Sequence, residues 1–426
     1  MITIATKIKK ITNARGEITV PGDKSISHRA VMLGALADGV THITGFLKGA
    51  DCLSTIDCFR ALGVKIDITD KEITVYGNGL NGLKKPDKML YTGNSGTTTR
   101  LLSGILAGQP FDTALTGDES ICKRPMRRVT LPLSLMGADI ENEYCPLYIK
   151  GKKLSGIEYT MPVASAQVKT AIILAALYAD GETVIHEPEK SRDHTELMLK
   201  AMGADIKCDG LTVRVSKTES LSAQDITVPG DISSAAFFMV LGSIMPDSEI
   251  LIKNVGINPT RTGIIDVLRA MGADIELSDE RTSGGEPIAD ITVKSARLHG
   301  TNIGGGIIPR LIDELPVIAA AALFADGTTV ISDAAELKVK ETNRIRAVVD
   351  EFKKCGADIS ETEDGMIING GKPLHGANFA TYGDHRMAMT LAIIAQLSDG
   401  TSTLDDSECV SVSYPTYFED LYALGE

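Results

Sequence analysis

Six short segments of this 426-residue chain combine glycine, small hydroxyl or carboxylate side chains, and cations. In order they are Gly22-Asp23-Lys24-Ser25-Ile26-Ser27-His28-Arg29, Gly93-Asn94-Ser95-Gly96-Thr97-Thr98-Thr99-Arg100, Ala164-Ser165-Ala166-Gln167-Val168-Lys169, Gly230-Asp231-Ile232-Ser233-Ser234, Ile312-Asp313-Glu314-Leu315-Pro316 and Gly383-Asp384-His385-Arg386. Each opens an apolar run of helical length. Ser, Thr, Asp and Asn in such places cap a helix by accepting from its free N–H groups. Capping alone does not call for the Lys, Arg, Gln and His beside them. Free backbone N–H groups and the helix dipole attract anions. Arg adds planar two-point capture of carboxylate or phosphate, and Lys adds a compact charge. Cys122-Lys123-Arg124-Pro125, Ser191-Arg192-Asp193-His194 and Lys340-Glu341-Thr342-Asn343-Arg344 carry the same residue types and read as starts of second helices. Any one of them alone reads as a solvated charged turn; together, at corresponding places, they point to a site.

The elements that position these segments repeat. Ala61-Leu62-Gly63-Val64-Lys65-Ile66 recurs as Leu135-Met136-Gly137-Ala138-Asp139-Ile140, as Ala201-Met202-Gly203-Ala204-Asp205-Ile206, as Ala270-Met271-Gly272-Ala273-Asp274-Ile275 and as Lys354-Cys355-Gly356-Ala357-Asp358-Ile359. Ala423-Leu424-Gly425 ends the chain at the same point of the pattern. Each glycine suits a left-handed helix stop with a strand beyond it. A second signature interleaves, in which an almost wholly apolar helix ends in a turn such as Ala37-Asp38-Gly39, Ala179-Asp180-Gly181 or Ala325-Asp326-Gly327. Six units of roughly 70 residues result, each reading β-α-β-α-β-β. A helix apolar all round belongs inside, so sheets are expected outside three packed helices in each half.

The halves are marked by an echo. Val20-Pro21-Gly22-Asp23 returns as Val228-Pro229-Gly230-Asp231, with three units after each. The expected domains are residues 21–229, with repeats one to three, and residues 1–20 plus 230–426, with repeats four to six. If the helices of each half run parallel, their starts converge, and two opposed faces form a cleft between hinged bodies. The net charge of −13 excludes a nucleic-acid partner. The 7 cysteines include no CxxC pair, which excludes a disulfide framework and a structural zinc site and fits a reducing cytoplasm. The 7 histidines show no metal-binding spacing. Neither a targeting peptide nor a membrane span is expected.

Four of these motifs, Gly22 to Arg29, Gly93 to Thr97, Lys340 to Arg344 and Gly383 to Arg386, closely resemble those of the 5-enolpyruvylshikimate-3-phosphate synthase family. The resemblance covers essentially the whole chain. It implies the enolpyruvyl transferase fold, α/β with two inside-out domains of three βαβαββ repeats each. It implies transfer of the enolpyruvyl group of phosphoenolpyruvate to the 5-hydroxyl of shikimate 3-phosphate, on the chorismate route to aromatic amino acids. By resemblance, Lys24, Arg124 and Gln167 bind the phosphoenolpyruvate phosphate, Gly96 permits close backbone approach, and Arg344 and Arg386 hold the carboxylate. Lys24, Ser25, Arg29, Thr97, Ser165, Gln167, Ser191, Asp313 and Lys340 fall to shikimate 3-phosphate. Asp313 is the base at the 5-hydroxyl, Glu341 exchanges a proton with C3, Lys24 assists the leaving phosphate and His385 supports Glu341. The alternative for Asp313 is a plain helix cap, and for Glu341 a first-turn carboxylate. No cofactor or metal is implied, and the expected form is a cytoplasmic monomer.

Some residues depart from the family pattern. Ala166 replaces a second Ser of some members, and Val412 stands where several carry a phosphate-binding Lys. Leu101 follows Arg100 where others have Pro. Glyphosate, which competes with phosphoenolpyruvate in this family, has room at the intact Gly96. Two alternatives are a related transferase and a non-catalytic binder. A transferase acting on UDP-N-acetylglucosamine shares the fold but carries a Lys-Asn pair and a loop Cys five before its Arg; here the corresponding residues are Lys24-Ser25 and Glu119, and Cys122 reads as incidental. A non-catalytic anion-binding repeat protein has no use for Asp313 and Glu341 among the cations.

Overall fold

Helices in this chain stop at the glycines that recur in its sequence. Gly63, Gly137, Gly203, Gly272 and Gly356 have φ between 88° and 98°. After each, the next N–H reaches back five residues, Val64 to Phe59, Ala138 to Leu133, Ala204 to Leu199, Ala273 to Leu268 and Ala357 to Phe352, at 2.9–3.2 Å. A side chain is strained at such φ values, so glycine makes this stop cheap and sends the chain directly into a strand. The structure is a computed structural model that describes residues 5–283 and 285–425.

Among the described residues the strands form five four-stranded sheets and one three-stranded sheet. The four-stranded sheets share one order. Leu90–Tyr91, for example, runs parallel to Thr113–Thr116, which runs antiparallel to Leu147–Lys150, with Asp139–Glu141 at the far edge. In two sheets the first strand comes from a distant stretch. Ile226–Thr227 lies parallel to Asp38–Thr44, and Arg15–Ile18 lies parallel to Glu249–Gly256. The sixth sheet joins Asn378–Phe379 to Thr403–Leu404 in parallel, and the N-terminal strand Thr6–Lys7 closes it antiparallel.

Inside the sheets lie the apolar helices. Lys24–Leu36, Gly96–Ala107 and Ala166–Ala176 belong to one core, and Ile232–Ile244, Leu315–Leu323 and His385–Leu397 to another. In Ile232–Ile244 even Phe237 and Phe238 are buried, each contributing roughly 1.5–3 kcal/mol over exposure. The Gly96–Ala107 helix packs backbone to backbone on its neighbour, because a Cβ on Gly104 would stand 2.1 Å from the Ala171 carbonyl oxygen. No helix among the described residues is long and apolar enough to cross a membrane.

The chain divides into two compact units. One comprises Met1–Pro21, Gly230–Arg281 and Pro287–Glu426, the other Gly22–Pro229 and Thr282–Glu286. Pro21 and the short piece Thr282–Glu286 thus fall on the opposite side of the boundary from where the sequence put them.

Candidate active site

In the unit of residues 22–229 three capped helix starts carry the expected side chains. Asp23 accepts from Ile26 N–H at 2.9 Å, Ser95 from Thr98 N–H at 3.1 Å and Ser165 from Val168 N–H at 3.5 Å. Lys24, in the first turn of its helix, forms an ion pair with Asp51 of the Ala50–Ala61 helix, a partner the sequence did not signal. Gln167 Nε2 donates to Thr97 Oγ1 at 2.9 Å, and its Oε1 accepts from Arg100 Nη1 at 2.5 Å. Arg100, Gln167 and Thr97 therefore bind the second and third helix starts together. Gly96 lies beside two guanidiniums: a Cβ there would meet Arg100 Nη1 at 2.9 Å and Arg124 Nη1 at 3.5 Å. Arg100, the cation of the second segment, has no role by resemblance, yet it lies one turn after Gly96 on the same helix face.

Arg124 donates to Asn94 Oδ1 at 3.3 Å. It does not begin a helix. The one-turn helix Glu119–Cys122 ends before it and the next runs Arg127–Leu135. Cys122 lies at the end of that turn with Sγ 3.7 Å from the Gly117 carbonyl. Arg29 is buried and tightly held, donating to Thr195 Oγ1 at 2.7 Å, Thr170 Oγ1 at 2.9 Å and the Ser25 carbonyl at 2.9 Å. Burial lowers its pKa to about 10 against the opposing pull of Glu196 and Asp23. Ser191 is buried too, with both its N–H and its hydroxyl turned to Glu187 Oε1. Lys169, expected among the anion-binding cations, lies wholly buried between Glu187 and Glu196.

The other unit gathers its candidates around Arg344, whose side chain is 1% exposed. Arg344 Nε donates to Asp384 Oδ2 at 2.8 Å and Nη2 to Asp384 Oδ1 at 3.3 Å, a two-point fork. Nη2 also donates to Glu341 Oε2 at 2.6 Å, and Nη1 to Asp313 Oδ1 at 3.3 Å. Burial lowers the Arg344 pKa, yet Asp384, Glu341 and Asp313 together hold it above its ordinary value. Burial likewise raises the Asp384 carboxyl, and the guanidinium outweighs it, leaving Asp384 below the usual carboxylate range. Asp384 also caps the His385–Leu397 helix, accepting from Arg386 N–H at 2.9 Å. Its fork to Arg344 is the contact that sequence could not show.

The simple alternatives for the two carboxylates fail here. The cap of Leu315–Leu323 is Glu314, with no side-chain cap bond, while Asp313 Oδ1 faces Lys340 Nζ and Arg344 Nη1, each at 3.3 Å. Asn343 caps Arg344–Lys354, accepting from Arg346 N–H at 3.2 Å, so Glu341 lies ahead of the helix and not in its first turn. Arg386 Nη1 donates to the Asp313 carbonyl at 3.4 Å and lies 3.9 Å from Glu314 Oε1. His385 is buried at the first helical position. Val412 is half-buried in the turn Glu408–Val412 and brings no cation. No group of His, Cys, Asp or Glu among the described residues is arranged to hold a metal ion. The unit thus presents four carboxylates, Asp313, Glu314, Glu341 and Asp384, among the three cations Lys340, Arg344 and Arg386, with Asp384 anchoring Arg344 and the others in place to pass a proton or orient a cation toward an anion.

Known proteins share this construction. The family model for EPSP synthase (3-phosphoshikimate 1-carboxyvinyltransferase) matches residues 8–421. A 3-phosphoshikimate 1-carboxyvinyltransferase of Listeria welshimeri is 59% identical over 426 residues, covering 98% of this chain and all of that one. One from Geobacillus kaustophilus is 59% identical over 420 residues, covering 97% and 98%. The solved EPSP synthase of Acinetobacter baumannii superposes with a TM-score of 0.89 at 46% identity, covering 99% of this chain and 98% of that one. The fold is accordingly the enolpyruvyl transferase fold, and with the match running almost end to end, the chain belongs to the EPSP synthase family.

Proposed function

We propose that the protein performs the reaction its family is named for, and that the side chains described above divide the work. The enolpyruvyl group of phosphoenolpyruvate passes to the 5-hydroxyl of shikimate 3-phosphate and phosphate leaves. Asp313 takes the hydroxyl proton as the oxygen bonds to C2, and Glu341 delivers a proton to C3. In the second step C3 returns that proton to Glu341, the bond from C2 to the phosphate oxygen breaks, and the phosphate departs with the hydroxyl proton. Lys24 stabilises the leaving phosphate, with Arg124, Gln167 and the bare backbone at Gly96. Arg344 and Arg386 face the phosphoenolpyruvate carboxylate, and Lys340 the shikimate hydroxyls. Ser25, Arg29, Thr97 and Ser165 line the shikimate 3-phosphate side, and His385 supports Glu341.

The observation that carries this reading is the shared hold of Arg344 on Asp313 and Glu341. A protein that only bound anions would need carboxylates beside its cations only to orient them, as Asp384 does for Arg344, and Asp313 and Glu341 exceed that need. The working form is proposed as a cytoplasmic monomer, a reading supported by seven free cysteines and a net charge of −13. Phosphate release settles the assignment. It is expected from phosphoenolpyruvate only when shikimate 3-phosphate is added; release that depends on UDP-N-acetylglucosamine, or none with either acceptor, overturns it.

A further inference from the structure

We infer that Lys169, a buried lysine outside the set that the reaction uses, is a positioning residue for shikimate 3-phosphate that acts through Arg29. The inference rests on the reading of Lys24, Ser25 and Arg29 as part of the shikimate 3-phosphate side of the site. Lys169 is 0% exposed, and its Nζ lies 2.8 Å from Glu187 Oε2, 2.7 Å from Glu196 Oε1 and 3.3 Å from the Ser191 carbonyl. Burial alone would drive an ammonium to shed its proton. Here the two carboxylates more than offset burial and hold Lys169 charged, above its ordinary value.

Two glutamates on one ammonium leave a negative excess. Arg29 balances it, and Glu196 is the strongest charge acting on Arg29. The result is a buried cluster of Lys169 and Arg29 with Glu187 and Glu196, in which burial raises the Glu196 carboxyl against the pull of Lys169, and Asp23 and Glu286 also act on Arg29. Such a group is poor value for stability, because apolar residues of similar volume commonly do as well or better. Its geometry points to another use. Lys169 and Thr170 are neighbours on the Ala166–Ala176 helix, and Thr195 and Glu196 are neighbours on the His194–Ala201 helix. Thr170 and Thr195 lie 2.8 Å apart through their hydroxyls, and both accept from Arg29. The Lys169–Glu196 pair joins the same two helices one residue away. It sets the separation of the two threonines, and the threonines set the direction of Arg29.

Glu187 extends the clamp to the turn after strand Thr183–His186. Its Oε1 takes the single hydroxyl proton of Ser191. While that bond is made, the Ser191 hydroxyl has no proton to give a phosphate. In this arrangement Ser191 is tied to the clamp.

The test is steady-state kinetics with thermal melting on Lys169→Met, Glu196→Gln, Arg29→Lys and the double variant R29K/K169M. In folded Lys169→Met the KM for shikimate 3-phosphate is expected to rise by about tenfold or more, with kcat and the KM for phosphoenolpyruvate within about twofold. Lys169→Met in the R29K background is expected to add less than about threefold, because both changes disturb one arginine. If Lys169→Met does not fold, the near-isosteric Glu196→Gln carries the same expectation. An unchanged KM for shikimate 3-phosphate in the folded variants, a parallel rise for both substrates, or full additivity with Arg29→Lys overturns the inference. Wild-type turnover with shikimate 3-phosphate separates the two readings: without it both fall, and with it but no effect in the variants, only the inference falls.

Discussion

Asp313 and Glu341 meet on one guanidinium. Arg344 donates to Glu341 Oε2 at 2.6 Å and to Asp313 Oδ1 at 3.3 Å, and it is itself anchored by the Asp384 fork. A proton gained by one carboxylate therefore changes how strongly the same cation favours ionisation of the other. In the addition–elimination sequence proposed above that would be useful, because the proposed roles make the two groups change protonation state in opposite directions.

Asp313→Asn and Glu341→Gln keep size and some hydrogen bonding but remove the exchangeable proton. Each is expected to lower kcat by roughly 10²–10⁴-fold with far smaller changes in either KM. Single-turnover measurements of product formation read this directly. A variant that keeps near-wild-type kcat removes its residue from the acid–base pair.

Gly96→Ala probes the gap between Arg100 and Arg124. The new Cβ meets Arg100 Nη1 at 2.9 Å, the far end of a flexible side chain, so the guanidinium yields and the helix does not. The KM for phosphoenolpyruvate is expected to rise by about tenfold, with the melting temperature nearly unchanged. Saturation curves for the two substrates, run separately, check it; an unaltered phosphoenolpyruvate curve contradicts it.

Arg344→Lys keeps the charge but cannot span both Asp384 oxygens while reaching Glu341 and Asp313. The buried carboxylates lose partners, at a cost of about 3 kcal/mol. Urea unfolding is expected to show that loss, and turnover is expected to fall with it. A wild-type unfolding midpoint counts against the fork as an anchor.

His28 supplies the pH prediction. It is buried, with Nδ1 2.7 Å from Thr55 Oγ1, and desolvation brings its pKa down from 6.5 to about 3 despite the pull of Asp51. Between those values the unfolded chain binds a proton that the folded chain refuses. Stability is therefore full above pH 6.5 and drains away as the pH falls toward 3, by up to about 5 kcal/mol in the limit. His28→Asn is expected to lose about 2–3 kcal/mol less than wild type between pH 7 and pH 4.5 in denaturant titrations. Parallel curves for the two proteins refute the assignment.

Local features of the chain were readable in advance. A glycine at a helix end has one conformational advantage, and Gly63, Gly137, Gly203, Gly272 and Gly356 all use it. Asp23, Ser95, Ser165, Asp231 and Asp384 cap their helices as their types suggest. What sequence could not reveal is which charge meets which. Arg344 and Asp384 are forty residues apart in the chain, Lys24 and Asp51 twenty-seven, and neither spacing carries a local signal. Lys169 misled for the same reason. At a helix start it reads as a cation awaiting an anion, whereas its partners come from a turn and a helix further along.

The two strands at the beginning of the chain have a consequence for how the protein is made. Thr6–Lys7 and Arg15–Ile18 are made well before their partners, Thr403–Leu404 and Glu249–Gly256. During synthesis residues 22–229 can collapse on their own core while the leading strands still wait unpaired. The sixth sheet cannot close until Thr403–Leu404 has been made. Ribosome-bound chains halted far enough past Pro229 for it to clear the exit tunnel should therefore hold one folded unit while the strands Thr6–Lys7 and Arg15–Ile18 stay protease-sensitive.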